Sequence, residues 1–185
     1  HNIPGYPLHT VIVREGAFSS ASKGMIVKLK GKTSHASEPE LGVNPAFAMA
    51  DLIHQLKNLP DKEGLVTIIF ALLGERALGT SPGEGELIAT LRTFDNKDMA
   101  RLIRRAEALV EKHANEEKLR YSISYREEFP ATSNAPVCVD IIKKAAKAND
   151  LPVHQLEQPF RWSEDFAHFT NAYKGALFGI GAGTD

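Results

Sequence analysis

The 185-residue sequence has little of several features that would assign its class at once. Its one cysteine, Cys138, excludes an internal disulfide and a cysteine-based zinc site. No apolar stretch approaches the roughly 20 residues that a membrane-spanning helix needs. The net charge of −1 gives no support for binding nucleic acid or an anionic membrane. With 43% hydrophobic and 24% charged residues, the composition is that of an ordinary soluble globular protein.

The sequence also lacks the short motifs of several enzyme classes. It has no HExxH zinc motif, and its spacing supports no Ser-His-Asp triad. The glycine-rich stretch Gly74–Gly85 has no lysine-serine or lysine-threonine pair, so a phosphate-binding loop is not expected. A secretory signal peptide is absent, which favours a cytoplasmic location. The chain starts at His1 and stops at Asp185, directly after an apolar run, so we expect a piece of a longer protein.

Periodicity predicts the order β-α-β-β-α-β between residues 22 and 129. The predicted strands are Met25–Lys30, Leu65–Leu73, Glu86–Phe94 and Leu119–Tyr125, with one helix after the first and one after the third. The continuous apolar run Leu65–Leu73 suits a central strand. The order is that of the ferredoxin-like split βαβ fold, an α+β arrangement with a four-stranded antiparallel sheet and two helices on one face.

The segment after Pro130 has a different pattern. Residues 131–136 are expected to form a linker-like turn, and a helix is predicted over 137–149. Cys138 lies in that helix, where a buried structural thiol is expected. Short strands are predicted at 153–156 and 176–180.

These segments predict three parts of the chain. Residues 1–15 would be one edge of a larger α/β domain, and residues 130–185 a second, incomplete segment of it. Residues 16–129 would form a complete small domain inserted between them. The ferredoxin-like insert would therefore interrupt one larger α/β domain.

The stretch Gly31–Pro45, GKTSHASEPELGVNP, joins a predicted strand to a predicted helix. Asn44 has the chemistry of a helix N-cap, and Pro45 suits the first helical position, where its missing N–H costs nothing. His35 lies among small residues here, and loops on a rigid scaffold often carry functional side chains. Spacing alone leaves open that His35 is an ordinary surface histidine.

Four motifs in register resemble one known family. The segment GKTSHASEPELGVNPAFAMADLIHQL resembles the lid signature of the two-metal amidohydrolases and peptidases, which include aminoacylases, glutamate carboxypeptidases and amidohydrolases of N-acyl amino acids. The opening HNIPGYP resembles the place where this family carries a metal-ligating histidine. LIATLRTFDNKDM is similar to the third lid strand and second helix start, and RWSEDFAHF followed by GALFGIGAG to the SEDF region. The resemblance spans nearly the whole chain. It implies that residues 16–129 are a lid and dimerisation domain, and that residues 1–15 and 130–185 are an edge segment and a second, incomplete segment of a catalytic domain.

The resemblance implies a role for two histidines. His1 would ligate one of two divalent ions, with zinc expected and manganese or cobalt as alternatives. His35 would reach the active site of the other subunit in a homodimer formed through the lid. There it would donate a hydrogen bond to the carbonyl oxygen that gains negative charge as metal-activated water attacks the amide.

The resemblance also implies roles near these histidines. Asn44 would bind substrate and, with Gly42, shape the loop that carries His35. Glu164 and Asp165 match the SEDF motif near the site, where structural support is as open as a functional role. The family's other metal ligands and its general-base glutamate precede the position of His1, and a last histidine ligand follows that of Asp185.

The function implied is that of a metal-dependent amidohydrolase or metallopeptidase acting on N-acyl amino acids or small peptides. This piece alone is expected to be inactive. The stretch Gly79–Pro82 departs from the family pattern, since many members have an asparagine and an Ile-Pro pair that help to hold substrate. The substrate class is therefore left open. The alternative is a non-catalytic ferredoxin-like module that dimerises or binds a small ligand, because this fold carries many functions.

Overall fold

The structure is a computed structural model that describes residues 1–60 and 64–184. The chain divides into two compact units. The insert unit comprises residues 23–93 and 97–128. The flanking unit comprises residues 1–22, 94–96 and 129–185.

The elements follow one another along the described residues. The strands are β1 (Asn2–Ile3), β2 (Val11–Val13), β3 (Gly16–Ser19), β4 (Ala21–Lys30), β5 (Ser34–His35), β6 (Leu65–Leu73), β7 (Thr80–Ser81), β8 (Glu84–Thr93), β9 (Arg120–Phe129), β10 (Thr132–Asn134), β11 (Val153–Gln155) and β12 (Gly179–Gly181). The α-helices are α1 (Ala46–Lys57), α2 (Asn96–Glu116), α3 (Pro136–Ala148) and α4 (Ala167–Ala172), with a 3₁₀ turn at Pro39–Leu41.

The insert unit is built on a four-stranded sheet with the order β6-β8-β4-β9. Alternate residues of its two inner strands are buried, because successive side chains of a strand point to opposite faces. The buried set is Met25, Val27 and Leu29 of β4, and Leu87, Ala89 and Leu91 of β8. The prediction of a mixed fold of helices and sheets is confirmed.

The two long helices of this unit bury one face each. α1 packs against β6 and β8 and buries Ala48, Met49, Leu52 and Leu56, which recur at helical spacing. α2 buries Met99, Leu102, Ala106, Val110, His113 and Ala114. Fully burying a leucine such as Leu52 stabilises the fold by about 1.5–3 kcal/mol, so these stripes fix both helices.

The prediction that Leu65–Leu73 is a central strand was wrong. β6 lies at the edge of the sheet and pairs with β8 in antiparallel register, from Leu65 opposite Arg92 to Leu73 opposite Gly85. Several of its large apolar side chains are exposed, namely Leu65, Ile69, Phe70, Leu72 and Leu73. A continuous apolar run shows that both faces are apolar, but it does not show what covers them.

The flanking unit joins both ends of the chain in one sheet with the order β1-β12-β2-β11. β1 is parallel to β12, β12 is antiparallel to β2, and β2 is parallel to β11. Two apolar clusters accompany this sheet. One contains Ile3, Ile12, Phe18 and Leu156, and the other contains Val11, Val13, Val139 and Ala146.

The predicted linker at residues 131–136 is instead a buried strand. β10 pairs antiparallel with β3, and Asn134 is 2% exposed. The Asn134 amide nitrogen donates to the carbonyls of Arg14 and Leu177, and its oxygen accepts from the Leu177 N–H. The polar letters Thr-Ser-Asn resemble a turn, but here their polar groups are satisfied inside the unit.

Three smaller predictions need correction. Helix α1 begins at Ala46, and Pro45 is the capping residue, although the Asn44 side chain still accepts from the Ala46 N–H at 2.9 Å. Cys138 is a free thiol that is half-buried, because its helix α3 turns only one face inward. The strand predicted at 176–180 is β12, which starts three residues later.

Within the described residues, no helix is long and apolar enough to span a membrane.

Candidate functional site

His35 lies on a short two-stranded ribbon at the surface of the insert unit. β5 and β7 pair antiparallel, with His35 opposite Thr80 and Ser34 opposite Ser81. The Ala36 N–H donates to the Gly79 carbonyl at 3.0 Å, which extends the pairing beyond the histidine. His35 itself is exposed. The stretch Gly79–Ser81 is therefore the direct backbone neighbour of His35.

The ring of His35 is held in one tautomer. The Ser37 backbone N–H donates to Nδ1 across 3.2 Å, and the Ser37 hydroxyl lies 2.7 Å from the same nitrogen. A backbone N–H can only donate, so Nδ1 accepts and the neutral ring carries its proton on Nε2. The geometry thus presents an N–H donor at the exposed end of the ring.

Two predicted loop residues, Gly42 and Asn44, support this ribbon. A Cβ added at Gly42 would lie 2.6 Å from the Ser34 hydroxyl and 2.9 Å from the Lys32 carbonyl, so only glycine fits. The Asn44 amide nitrogen lies 3.3 Å from the Ser81 hydroxyl, to which it donates. Asn44 therefore ties β7 to the start of α1, which is a positioning role for the loop.

His1 forms the second candidate site, in the flanking unit. Its Nδ1 lies 2.8 Å from the Asn2 carbonyl oxygen, and a carbonyl can only accept, so Nδ1 carries a proton. Its Nε2 lies 3.0 Å from Oε1 of Glu164. A bare Nε2 and a carboxylate would both be acceptors, so a proton or a metal cation must lie between them for the contact to be attractive.

An aromatic group accompanies this pair. The rings of His1 and Trp162 are 5.3 Å apart, and Trp162 stacks on Phe160 at 4.8 Å. Phe18, which is fully buried, meets both of these rings edge-on. One side of the His1 imidazole is therefore packed against a rigid apolar wall.

The residues present fit part of a metal centre. Imidazole nitrogen and carboxylate oxygen are the ligands that zinc takes, and an Nδ1–H held by a backbone carbonyl orients Nε2 as a ligand. His1 with Glu164 has this arrangement. Over residues 1–60 and 64–184, no group of three potential ligands occurs. Asp165 is exposed, and its backbone carbonyl accepts from the His168 N–H.

Sequence reasoning missed several supporting residues. Ser37 could have been found, because a serine two positions after a histidine can reach its Nδ1. Ser81 and Trp162 meet their partners only through the fold, across 37 residues for Asn44 and across the whole unit for His1. Nothing in the local sequence indicates those contacts.

Comparison with known families gives a match over the middle of the chain. The model of the peptidase dimerisation domain matches residues 19–118. This stretch contains the ribbon of His35, both long helices and the edge strand β6.

Comparison with individual proteins extends the likeness to both ends. N-acetyldiaminopimelate deacetylase of Bacillus licheniformis is 23% identical over 98% of this chain and 50% of its own length. The Bacillus subtilis YxeP protein, described as a dinuclear metal binding peptidase from the M20 family, has a TM-score of 0.80 at 22% identity, covering 98% of this chain and 46% of that one. The aminobenzoyl-glutamate utilization protein of Klebsiella pneumoniae has a TM-score of 0.81 at 23% identity, covering 100% and 49%. The chain thus spans about half the length of the relatives it matches.

Proposed function

The chain belongs to the peptidase dimerisation domain family, and from that premise we propose that it is the lid of a metal-dependent amidohydrolase with flanking parts of the catalytic domain. Residues 16–129 would be the lid, and residues 1–15 and 130–185 the catalytic segments. The observation that carries the proposal is the Nδ1 of His35 accepting from the Ser37 N–H, which leaves Nε2–H as the donor. The reaction would be hydrolysis of an amide bond.

We assign the lid the ferredoxin-like arrangement. Numbered within the insert, β4, β6, β8 and β9 are strands one to four, and the sheet order reads 2-3-1-4. Strand one therefore lies between strands three and four, as expected when two βαβ halves interlock. α1 and α2 each follow the strand that the split βαβ order requires.

The role of His35 follows from its tautomer and exposure. As water attacks an amide carbon, the carbonyl oxygen gains negative charge, and a fixed N–H donor stabilises that charge more than it stabilises the substrate. Nε2–H of His35 is such a donor. Because the ribbon and Ser37 fix the ring before substrate binds, little reorganisation is needed at the moment of reaction.

His1 and Glu164 would hold one of two divalent ions, zinc by preference of the donor set. When bound, the ions supply Lewis-acid activation of a water molecule. The Nε2 lone pair of His1 and the Glu164 carboxylate offer ligand atoms, and the Asn2 carbonyl keeps Nδ1 protonated. The remaining ligands and the general base would come from sequence outside the 185 residues.

A homodimer through the lid would bring His35 to a partner's site. β6 is an edge strand, and it exposes Ile69, Phe70 and Leu72. An exposed apolar edge is a template for pairing with another chain, and two identical edges can pair about a two-fold axis. A single protomer would then supply His35 to one site and His1 to the other.

The substrate we propose is a small N-acyl amino acid or peptide. The relatives named as N-acetyldiaminopimelate deacetylase and aminobenzoyl-glutamate utilization protein support this class. Thr80 and Ser81, which replace the family's usual residues, pair with the strand of His35. They are therefore placed to adjust which acyl group fits beside that ring.

A second candidate is a non-catalytic module that binds a small ligand. An open cavity of about 880 Å³ lies on the insert unit. Its lining carries four cations, Lys28, Lys30, Lys32 and Arg120, and three carboxylates, Glu75, Glu84 and Glu86. Lys28 pairs with Glu86 and Lys30 with Glu84, which leaves two cations and one carboxylate. This surplus of positive charge favours an anionic ligand.

Subunit complementation tests the two candidates against each other in the intact protein. His35→Ala and His1→Ala are each expected to keep about 1% of wild-type activity or less when alone. Mixed after dissociation, they should recover about a quarter of wild-type activity, because half the dimers are mixed and each has one site with both histidines intact. No recovery would overturn the action of His35 across the dimer. A wild-type protein without amidohydrolase activity would favour the non-catalytic module.

A further inference from the structure

A buried serine in the flanking unit holds the segment that carries both neighbours of His1. Ser20 is 1% exposed and lies between β3 and β4. Its backbone N–H is shared between the carbonyls of Phe160 and Trp162, each at 3.0 Å. Its hydroxyl donates to the Arg161 carbonyl at 2.7 Å and also lies 3.3 Å from the Trp162 carbonyl.

The contacts of Ser20 converge on a segment with no regular structure of its own. Residues 161–164 lie between the bridge of Phe160 with Ser19 and the helix α4. The Ser20 hydroxyl is also 3.3 Å from the hydroxyl of Ser163. One residue therefore binds four consecutive positions, 160 to 163, and its amide and hydroxyl together replace a strand ladder there.

The held segment places two side chains on the same imidazole. Trp162 packs on the ring of His1, and Glu164 contacts its Nε2. Both side chains leave the backbone within two residues of the carbonyls that Ser20 binds. A shift of those carbonyls would move the apolar wall and the carboxylate together.

We propose that Ser20 is a positioning residue for the cluster of His1, Trp162 and Glu164. It acts through backbone carbonyls and does not touch a ligand itself. The proposal rests on the proposed function only in taking this cluster as part of a metal centre. Removing a residue that orients a metal ligand typically lowers the affinity for the metal about 10–100-fold.

Ser19 provides a matched control, because it is the neighbouring serine and is also fully buried. Its hydroxyl donates to the Thr132 hydroxyl at 2.9 Å, in the pairing of β3 with β10, so its hydrogen bond is directed to β10 and not to residues 161–164. Ser19→Ala and Ser20→Ala each remove one buried hydroxyl with the same change in volume. A purely structural role would make the two variants alike.

The test uses the intact protein labelled with 5-fluorotryptophan, with the Trp162 resonance assigned by its loss in Trp162→Phe. In Ser20→Ala, the ¹⁹F resonance of Trp162 should shift or broaden, and zinc affinity measured by calorimetry should fall about 10–100-fold. In Ser19→Ala, both should stay close to wild type, even where the melting temperature falls equally.

An unchanged Trp162 resonance and zinc affinity in Ser20→Ala would overturn the proposal, as would equal changes in Ser19→Ala. Should Ser20→Ala fail to fold, Ser20→Cys keeps a weak donor and nearly the same volume, and the same two measurements apply. A wild-type protein that binds no zinc would sink the proposed metal centre. The Trp162 resonance would still decide whether Ser20 positions the segment.

Discussion

Nδ1 of His35 accepts a hydrogen bond from the Ser37 backbone N–H at 3.2 Å, so the ring's proton lies on Nε2. The contact spans two residues and needs only the chain reversal that follows β5, where the Glu38 N–H donates to the His35 carbonyl. The tautomer is therefore fixed within the loop itself. A donor fixed in this way is suited to an oxyanion and not to a metal, which would need a bare nitrogen.

Replacing His35 by alanine should lower kcat of the proposed amidohydrolase roughly 10²–10³-fold, about 3–4 kcal/mol, as for the loss of one oxyanion donor. Steady-state kinetics with an N-acetyl amino acid would measure it. The control is His54→Ala, since His54 is an exposed histidine on α1 of the same unit and should leave kcat unchanged. A His35→Ala enzyme with more than half its kcat would reject the assigned role.

Placing charge on the edge of β6 should separate the proposed homodimer into monomers. Ile69→Lys with Leu72→Lys puts two cations on side chains that are 58% and 54% exposed, so folding should be little affected. Burying them between two copies would cost several kcal/mol. Light scattering at micromolar concentration should show a monomer.

The matched control for the edge is Ile141→Lys, because Ile141 is 62% exposed on α3 of the flanking unit. This variant should remain a dimer. If the β6 variant stays dimeric, or if both variants become monomeric, β6 is not the interface.

Removing the His1 imidazole should weaken zinc binding by more than the roughly 10–100-fold typical of an outer partner, because a ligand atom is lost. Glu164→Gln keeps the shape of the side chain but not its charge and should weaken binding less than His1→Ala does. Calorimetry on the intact protein measures both. The control is His168→Ala, an exposed histidine on α4, for which wild-type affinity is expected.

Asn134→Ala should lower the free energy of unfolding by about 2–4 kcal/mol, since it leaves partly buried backbone groups of Arg14 and Leu177 without their partner. Urea unfolding followed by circular dichroism would measure this. Asn149→Ala is the control, because Asn149 is exposed and its side-chain amide donates to the Ala145 carbonyl of the adjoining helix α3. A change within about 0.5 kcal/mol is expected there. Equal effects would contradict the buried network.

Short-range patterns predicted the main strands and helices, because the apolar residues that alternate in β8 or recur at helical spacing in α2 are the ones that are buried. These local patterns failed where the burial of a residue depends on segments that are far away in the sequence. The sequence of β6 is typical of a core strand, but β6 is an edge strand. The sequence of β10 is typical of a turn, but Asn134 is buried, and its hydrogen-bond partners are 120 and 43 residues away.

The candidate sites divide in the same way. His35 and Ser37 are two residues apart, so their contact is local and could be inferred from sequence. His1 meets Glu164 and Trp162 across almost the whole length of the chain, through the fold of the flanking unit. The sequence does not indicate the proposed role of Ser20. That role depends on the carbonyl groups that its backbone N–H and hydroxyl contact in the folded chain.

Tyr125 gives the protein a dependence on alkaline pH that can be assigned to one side chain. Burial raises the pKa of its hydroxyl, and so does the hydrogen bond that the hydroxyl donates to the Glu107 carboxylate at 2.8 Å. In the unfolded chain the Tyr125 hydroxyl ionises near the ordinary pKa of tyrosine, about 10, whereas in the folded chain it stays protonated at that pH. Above about pH 10 the unfolded state therefore binds fewer protons than the folded state. The stabilisation is complete below about pH 10 and is lost as pH rises above it.

In Tyr125→Phe, the free energy of unfolding should fall less steeply between about pH 10 and 11.5, as measured by urea unfolding. Tyr173→Phe, at an exposed site, should retain the wild-type slope, and a wild-type slope in Tyr125→Phe would refute the assignment.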